Sequence, residues 1–190
     1  MTQQKEIIGL DLDGVIIDHT ENRLALARRF GYNLEPKETS SDVFKTKIPE
    51  ETRDEIDKFL YDDPVSALTP PTMAGAREGL DFLKKKRVPY YLISRRKTAD
   101  PAISLLFKRN LWPNYFNETN AFFANTPEEK NQKAKELGIS VYVDDQPSVI
   151  EKLVDVPAKF LFDNHRVYEE SANYKKVHSW GEFLENVKIL

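Results

Sequence analysis

From Pro70 onward the chain alternates short apolar runs with helix-length amphipathic stretches. Val88–Ile93 (VPYYLI), Ala121–Ala124 (AFFA), Ser140–Asp144 (SVYVD) and Ala158–Phe162 read as strands. They are short and apolar on both faces, as strands covered from both sides must be. Helices separate them. Thr72 can cap one through Lys86, with Ala76, Leu80 and Leu83 inward. Asp100-Pro101 opens another, which carries Ile103, Leu106 and Phe107. Thr126-Pro127-Glu128-Glu129 is a capping box with proline at the first helical position, and Gly138 ends that helix. Pro147–Leu153 follows, and Ser179-Trp180-Gly181-Glu182 is a second capping box. Ile7–Leu10 adds an apolar strand near the start. This alternation argues for an α/β fold with a parallel sheet covered by helices on both faces. Ligands of such sheets bind at the carboxyl ends of the strands.

Residues 18–69 interrupt the alternation. Thr20–Phe30 reads as a helix with Leu24, Ala27 and Phe30 on one face, and 32–48 is polar and irregular. Pro49 can open a second helix, striped by Ile56, Phe59 and Leu60, which Asp62-Asp63-Pro64 stops. The expected division is a core of 1–17 and 70–190 with a helical insertion at 18–69. A length of 190 residues suits one domain with an insertion better than two full domains. No apolar stretch approaches the ~18 residues of a spanning helix. Met1–Glu6 is too polar for a secretory leader, so a cytoplasmic protein without membrane contact is expected. A net charge of −3 gives no general attraction to nucleic-acid polymers or anionic membranes. The absence of cysteine excludes disulfides, thiolate metal sites and a cysteine nucleophile.

The strand ends carry the chemistry. Strand one ends in Asp11-Leu12-Asp13-Gly14, strand two in Ser94-Arg95-Arg96-Lys97, and strand four in Asp144-Asp145. Lys130 lies in the first turn of the helix before strand four. On a continuous strand Asp11 and Asp13 project to one side. Two such charges about 4 Å apart repel by roughly 4 kcal/mol at an effective dielectric near 20. A bound cation, or a proton on one carboxyl, resolves that conflict. Carboxylates of this kind suit Mg²⁺, and the lysine and serine suit an anionic substrate.

DLDGV at the first strand end, a serine after an apolar second strand, a lysine, and an apolar strand ending in DD resemble, in that order, the haloacid dehalogenase-like hydrolase superfamily. That resemblance implies a Rossmann-like core and, from the place of the insertion, a small helical cap. The tail, with Phe160–Asn164 and Val177-His178-Ser179-Trp180, is similar to that of the 5′-nucleotidase-like branch. The resemblance implies a Mg²⁺-dependent phosphatase of small phosphate monoesters. Asp11 would be the nucleophile, forming an aspartyl-phosphate, and Asp13 the general acid and base. Asp11, the Asp13 backbone carbonyl and Asp145 would bind the metal, with Asp144 acting through water. Ser94 and Lys130 would hold the phosphoryl group.

Other readings stand beside these. An Asp before Gly is commonly a turn residue, Asp144-Asp145-Gln146-Pro147 can be a turn and helix cap, and Ser94 and Lys130 can be solvated. Arg95, counted with the phosphate-binding residues, and Arg96 can contact substrate or face water. His19 follows Asp13 closely and can line the pocket, but is read first as structural or exposed. The same scaffold also admits a catalytically idle binding domain, or a phosphotransferase or phosphomutase that passes the aspartyl-phosphate to a second acceptor.

Overall fold

The computed structural model describes residues 6–96 and 98–187. Six strands form one parallel sheet: β1 (Ile8–Leu10), β2 (Tyr90–Ser94), β3 (Ala121–Phe123), β4 (Val141–Asp144), β5 (Ala158–Phe162) and β6 (Lys175–Val177). Their order is β3-β2-β1-β4-β5-β6. Ile8 therefore pairs with Tyr90 on one side and Val141 on the other. The chain builds outward from β1 to β3, then crosses to β4 on the opposite side. That reversal opens a crevice at the carboxyl ends of β1 and β4, where ligands of open α/β sheets bind.

Helices cover both faces. On one, α4 (Ala76–Lys86), α5 (Asp100–Lys108) and α8 (Trp180–Asn186) pack Leu80, Leu83, Leu105 and Phe183 against Ile8, Leu10 and Val143. On the other, α6 (Pro127–Glu136) and α7 (Pro147–Ile150) help to enclose Ala134, Ile139, Tyr142 and Leu153. Gly9 belongs to this second face, where a Cβ would overlap the Tyr142 ring.

The stretch after β1 contains α1 (Thr20–Arg29), a 3₁₀ turn (Pro36–Thr39), α2 (Ser41–Lys47), α3 (Glu50–Asp57) and a π-helical turn (Lys58–Asp62). It has its own apolar cluster of Leu26, Ala27, Phe44, Ile48, Ile56 and Leu60.

Three elements differ from the sequence expectation. The helix expected from Thr72 starts at Ala76, behind a left-handed Gly75; Thr72 instead bridges to Ile17. The stretch read as irregular holds α2, whose single buried residue, Phe44, leaves no apolar period to see. A sixth strand exists at Lys175–Val177, where only Val177 is buried, as befits an edge strand.

Candidate active site

Beyond Leu10 the backbone follows β4 for one more bond, from Asp11 N–H to the Val143 carbonyl (3.0 Å). It then folds on itself. The Leu12 carbonyl accepts from the N–H groups of Ile16 and Ile17 (both 2.9 Å), and Gly14 N–H donates to Ile17 (2.8 Å). Gly14 has φ +84°, a conformation that L side chains rarely adopt. The Trp180 indole braces the turn by donating to the Val15 carbonyl (2.8 Å). Because β1 ends at Leu10, Asp11 and Asp13 do not sit on a continuous strand. Each carboxylate has its own cations.

Lys130 serves Asp11. It stands in the first turn of α6, whose start is fixed by Thr126 accepting from Glu129 N–H (3.1 Å). Its ammonium, 1% exposed, donates to Asp11 and to Asp144, each at 2.6 Å. The Tyr142 ring lies 5.3 Å beneath it. The carboxylates of Asp11, Asp144 and Asp145 offer oxygens that all lie within 4.8 Å of one another. A Cβ on Gly14 would overlap the Asp145 carboxylate, so glycine is what lets that group approach. Burial pushes Asp11 above the usual carboxylate range, and Asp144, Asp145 and Asp13 add to that against the opposing charge of Lys130. Burial, then the charge of Asp144, pushes Asp145 up to about 7. Lys130 thus serves two of the three carboxylates, and Arg23 adds positive charge near Asp145, which leaves one negative charge in surplus. The surplus negative charge and the all-oxygen donor set fit a hard divalent cation.

Asp13 turns elsewhere. Arg96 holds it side-on, Nη2 to Oδ1 at 2.5 Å and Nε to Oδ2 at 2.9 Å. His19 Nε2 lies 2.6 Å from Oδ1. Burial pushes the Asp13 carboxyl up, but the Arg96 charge and the His19 hydrogen bond outweigh it and hold the group below the usual range. The Asp13 carboxylate is not in the acidic cluster, so any part Asp13 has in metal binding falls to its backbone carbonyl. Of the readings of His19, the exposed one gives way here: it is 2% exposed and bonded to Asp13. No spacing rule flags such a contact, because His19 reaches Asp13 only once the Gly14 turn has formed.

The insertion closes over both groups. Ser41 Oγ donates to Asp145 Oδ2 (2.6 Å). Asp42 accepts from Gln146 Nε2 (2.9 Å) and from the Ser148 N–H and hydroxyl (both 3.1 Å). The Tyr61 ring lies 4.9 Å from the Arg96 guanidinium carbon, and 5.5 Å from the His19 ring in an edge-on contact. Beneath the insertion is a cavity of about 820 Å³, lined by Asp11, Asp13, Lys130 and Asp145 from the core and by Arg53 and Tyr61 from the insertion.

The remaining sequence candidates divide. Arg95 lines the cavity, is exposed, and donates to Gln146 (3.1 Å). Ser94 is fully buried and not among the cavity-lining residues; its hydroxyl has no hydrogen-bond partner among the described residues. Lys97 and Met1–Lys5 lie outside the described residues.

The profile of the "5′ nucleotidase, deoxy (Pyrimidine), cytosolic type C protein" family matches residues 5–189. A provisionally assigned nucleotidase of Oceanobacillus iheyensis is 24% identical over 97 residues, 51% of this chain and 50% of that protein. The chain thus matches about half the length of this relative. Among solved structures, a predicted phosphatase from Clostridium acetobutylicum superposes with a TM-score of 0.68 at 16% identity, covering 99% of this chain and 100% of that one. A hydrolase of the haloacid dehalogenase family from Deinococcus radiodurans, solved with bound phosphate and sodium, gives 0.65 at 16% identity over 98% and 97%. At such identities these structures speak for the fold alone.

Proposed function

The chain belongs to the 5′ nucleotidase, deoxy (pyrimidine), cytosolic type C family; from that premise we propose that it is a haloacid dehalogenase-like hydrolase that cleaves small phosphate monoesters, a nucleotide foremost, through an aspartyl-phosphate on Asp11. The observation that carries this reading is the Lys130 ammonium held 2.6 Å from both Asp11 and Asp144 on the floor of the cavity. It orients one Asp11 oxygen and leaves the other for attack on phosphorus.

In the first half-reaction Asp11 attacks phosphorus and the bond to the ester oxygen breaks. Asp13 protonates that oxygen as it leaves. In the second, water attacks the aspartyl-phosphate while Asp13 takes a proton from it. The clamped Asp13 described above is the form that accepts a proton; donation requires Arg96 and His19 to loosen their hold. The Arg95 guanidinium on the cavity wall supplies donors for phosphoryl oxygens, whereas the orphaned Ser94 hydroxyl lies buried outside the lining. Asp11, Asp145 and the Asp13 backbone carbonyl would hold Mg²⁺, with Asp144 behind them through water. When bound, the ion offsets the repulsion between the Asp11 carboxylate and an anionic phosphate.

Residues 18–69 act as the cap over the cavity, and their side chains select the leaving group. A cytoplasmic location fits a family described as cytosolic, and among the described residues no helix is long and apolar enough to cross a membrane.

The test is a screen with Mg²⁺ across deoxynucleotides and ribonucleotides, sugar phosphates and phospho-amino acids. Release of phosphate from nucleotides is expected, with other classes slower. No hydrolysis of any class would favour an idle binding domain instead.

A further inference from the structure

We infer that Tyr61 is a positioning residue for proton transfer at Asp13, acting through Arg96 and His19. The inference rests on the reading of Asp13 as the proton carrier. Both partners that fix the Asp13 carboxylate touch this one ring. Arg96 presents its guanidinium 4.9 Å from the ring centre, and the His19 ring meets it at 72°. Arg96 is 6% exposed at its side chain and His19 2%. Arg96 Nη1 and His19 Nδ1 are buried without hydrogen-bond partners among the described residues. Neither side chain is therefore held by a full set of hydrogen bonds. Both also meet the same aromatic ring.

Tyr61 is itself fastened. Its hydroxyl accepts from Arg23 Nη2 (3.1 Å), and Arg23 Nη1 donates to the Thr39 carbonyl (2.6 Å) and to Ser41 Oγ (3.3 Å). Ser41 in turn donates to Asp145. A continuous path therefore runs from Asp13 through Arg96 or His19, Tyr61, Arg23 and Ser41 to Asp145. It is carried by residues of the insertion between two core carboxylates. The ring sits in the π-helical turn Lys58–Asp62, an irregularity that often marks functional positions in helices.

The step at issue is balanced simply. As the P–O bond breaks, its electron pair stays on the ester oxygen, which takes the proton from Asp13. An acidic leaving group departs without that proton, whereas a basic one requires it. Misplacing Asp13 therefore slows substrates in proportion to leaving-group basicity. A ring that only packs against substrate would instead lower every rate by one common factor.

The experiment measures kcat/KM for a series of substituted phenyl phosphates of similar size and graded leaving-group pKa. Wild type, Y61F, Y61L, Y61M and D13N are compared, all with saturating Mg²⁺. This parameter reports steps through aspartyl-phosphate formation only, so dephosphorylation does not enter. In Y61L the rate on the most basic leaving group is expected to fall about tenfold or more relative to the most acidic one. Y61F, which keeps the ring, should retain the wild-type slope. Y61M makes the same prediction as Y61L should Y61L fail to fold. A folded Y61L or Y61M with the wild-type slope, whatever its overall rate, would overturn the inference. An unaltered slope in D13N would remove Asp13 as the proton carrier, and the inference with it. A steepened slope in D13N beside a wild-type slope in Y61L overturns the role of Tyr61 alone.

Discussion

Lys130 and Asp11 stand 2.6 Å apart in the protein interior, although 119 residues separate them in the chain. Asp144 completes the arrangement on the far side of the ammonium. Removing the cation leaves two buried carboxylates facing each other. Breaking a buried pair by deleting one partner costs about 3–5 kcal/mol. K130M is therefore expected to lose that much stability in urea denaturation of the metal-free protein, and to lose turnover. A stability within 1 kcal/mol of wild type would show that the carboxylates simply protonate.

D11N keeps the shape of the nucleophile and removes its charge and reactivity. Its kcat should fall by about 10⁴-fold or more, as in enzymes deprived of a nucleophile. Circular dichroism should still report a folded chain. Wild-type turnover in D11N would exclude a covalent intermediate on this residue.

The acidic cluster makes the protein itself a sensor of its metal. At a Mg²⁺ concentration one hundred times its Kd, binding to the folded state adds about 2.7 kcal/mol. For a chain of this size that corresponds to a rise in Tm of about 5–10 °C. EDTA should reverse the shift and abolish hydrolysis, and added Mg²⁺ should restore both. A melting curve indifferent to EDTA and Mg²⁺ would contradict the site.

Asp42 gives the docking of the insertion a pH dependence. Burial pushes its carboxyl up, but hydrogen bonds from Lys45, Gln146 and Ser148 outweigh this and lower it. A carboxylate with a depressed folded-state pKa stabilises fully above its unfolded value, near 3.9, and loses that contribution as pH falls through the depressed one. D42A should be about 1 kcal/mol less stable than wild type at pH 6. The gap should narrow as the pH is taken below 4, as read by denaturation at both pH values. A gap independent of pH would show that packing, not charge, is lost.

G14A combines a left-handed backbone with a Cβ pressed into Asp145. The conformation alone costs about 1–2 kcal/mol. Activity should fall further than stability, because relief of the overlap displaces Asp145. Urea denaturation and Mg²⁺ titration of the same variant separate the two effects.

The parallel sheet and the meeting of Asp11, Lys130, Asp144 and Asp145 were legible in the sequence, but the order of the strands was not. Strand-end carboxylates and capping-box signals are local, and a parallel sheet brings its strand ends to one edge. Arg96 was half legible: its place after β2 was evident, but its burial depends on Tyr61, whose own position depends on the π-helical turn. Ser41 was not legible as a site residue, and of His19 only its nearness to Asp13 in the chain was. Each meets its carboxylate only through a tight turn or the docking of α2, and neither carries a periodic signal. Thr72 misled because a good helix cap can equally well be used in a bridge, as it is here with Ile17.

The sheet order carries a consequence for synthesis on the ribosome. β1 emerges first, yet its neighbours β2 and β4 begin only at Tyr90 and Val141. Until Tyr90 emerges the fully buried strand β1 has no partner on either edge, and until Val141 emerges one edge stays open. The cluster of Leu26, Phe44, Ile48, Ile56 and Leu60, by contrast, is complete once residue 60 has left the exit tunnel. At about 5–20 residues per second the delay before β4 is several seconds or more. The insertion is thus placed to collapse early beside the waiting strand, and chaperone dependence of this protein would trace to β1.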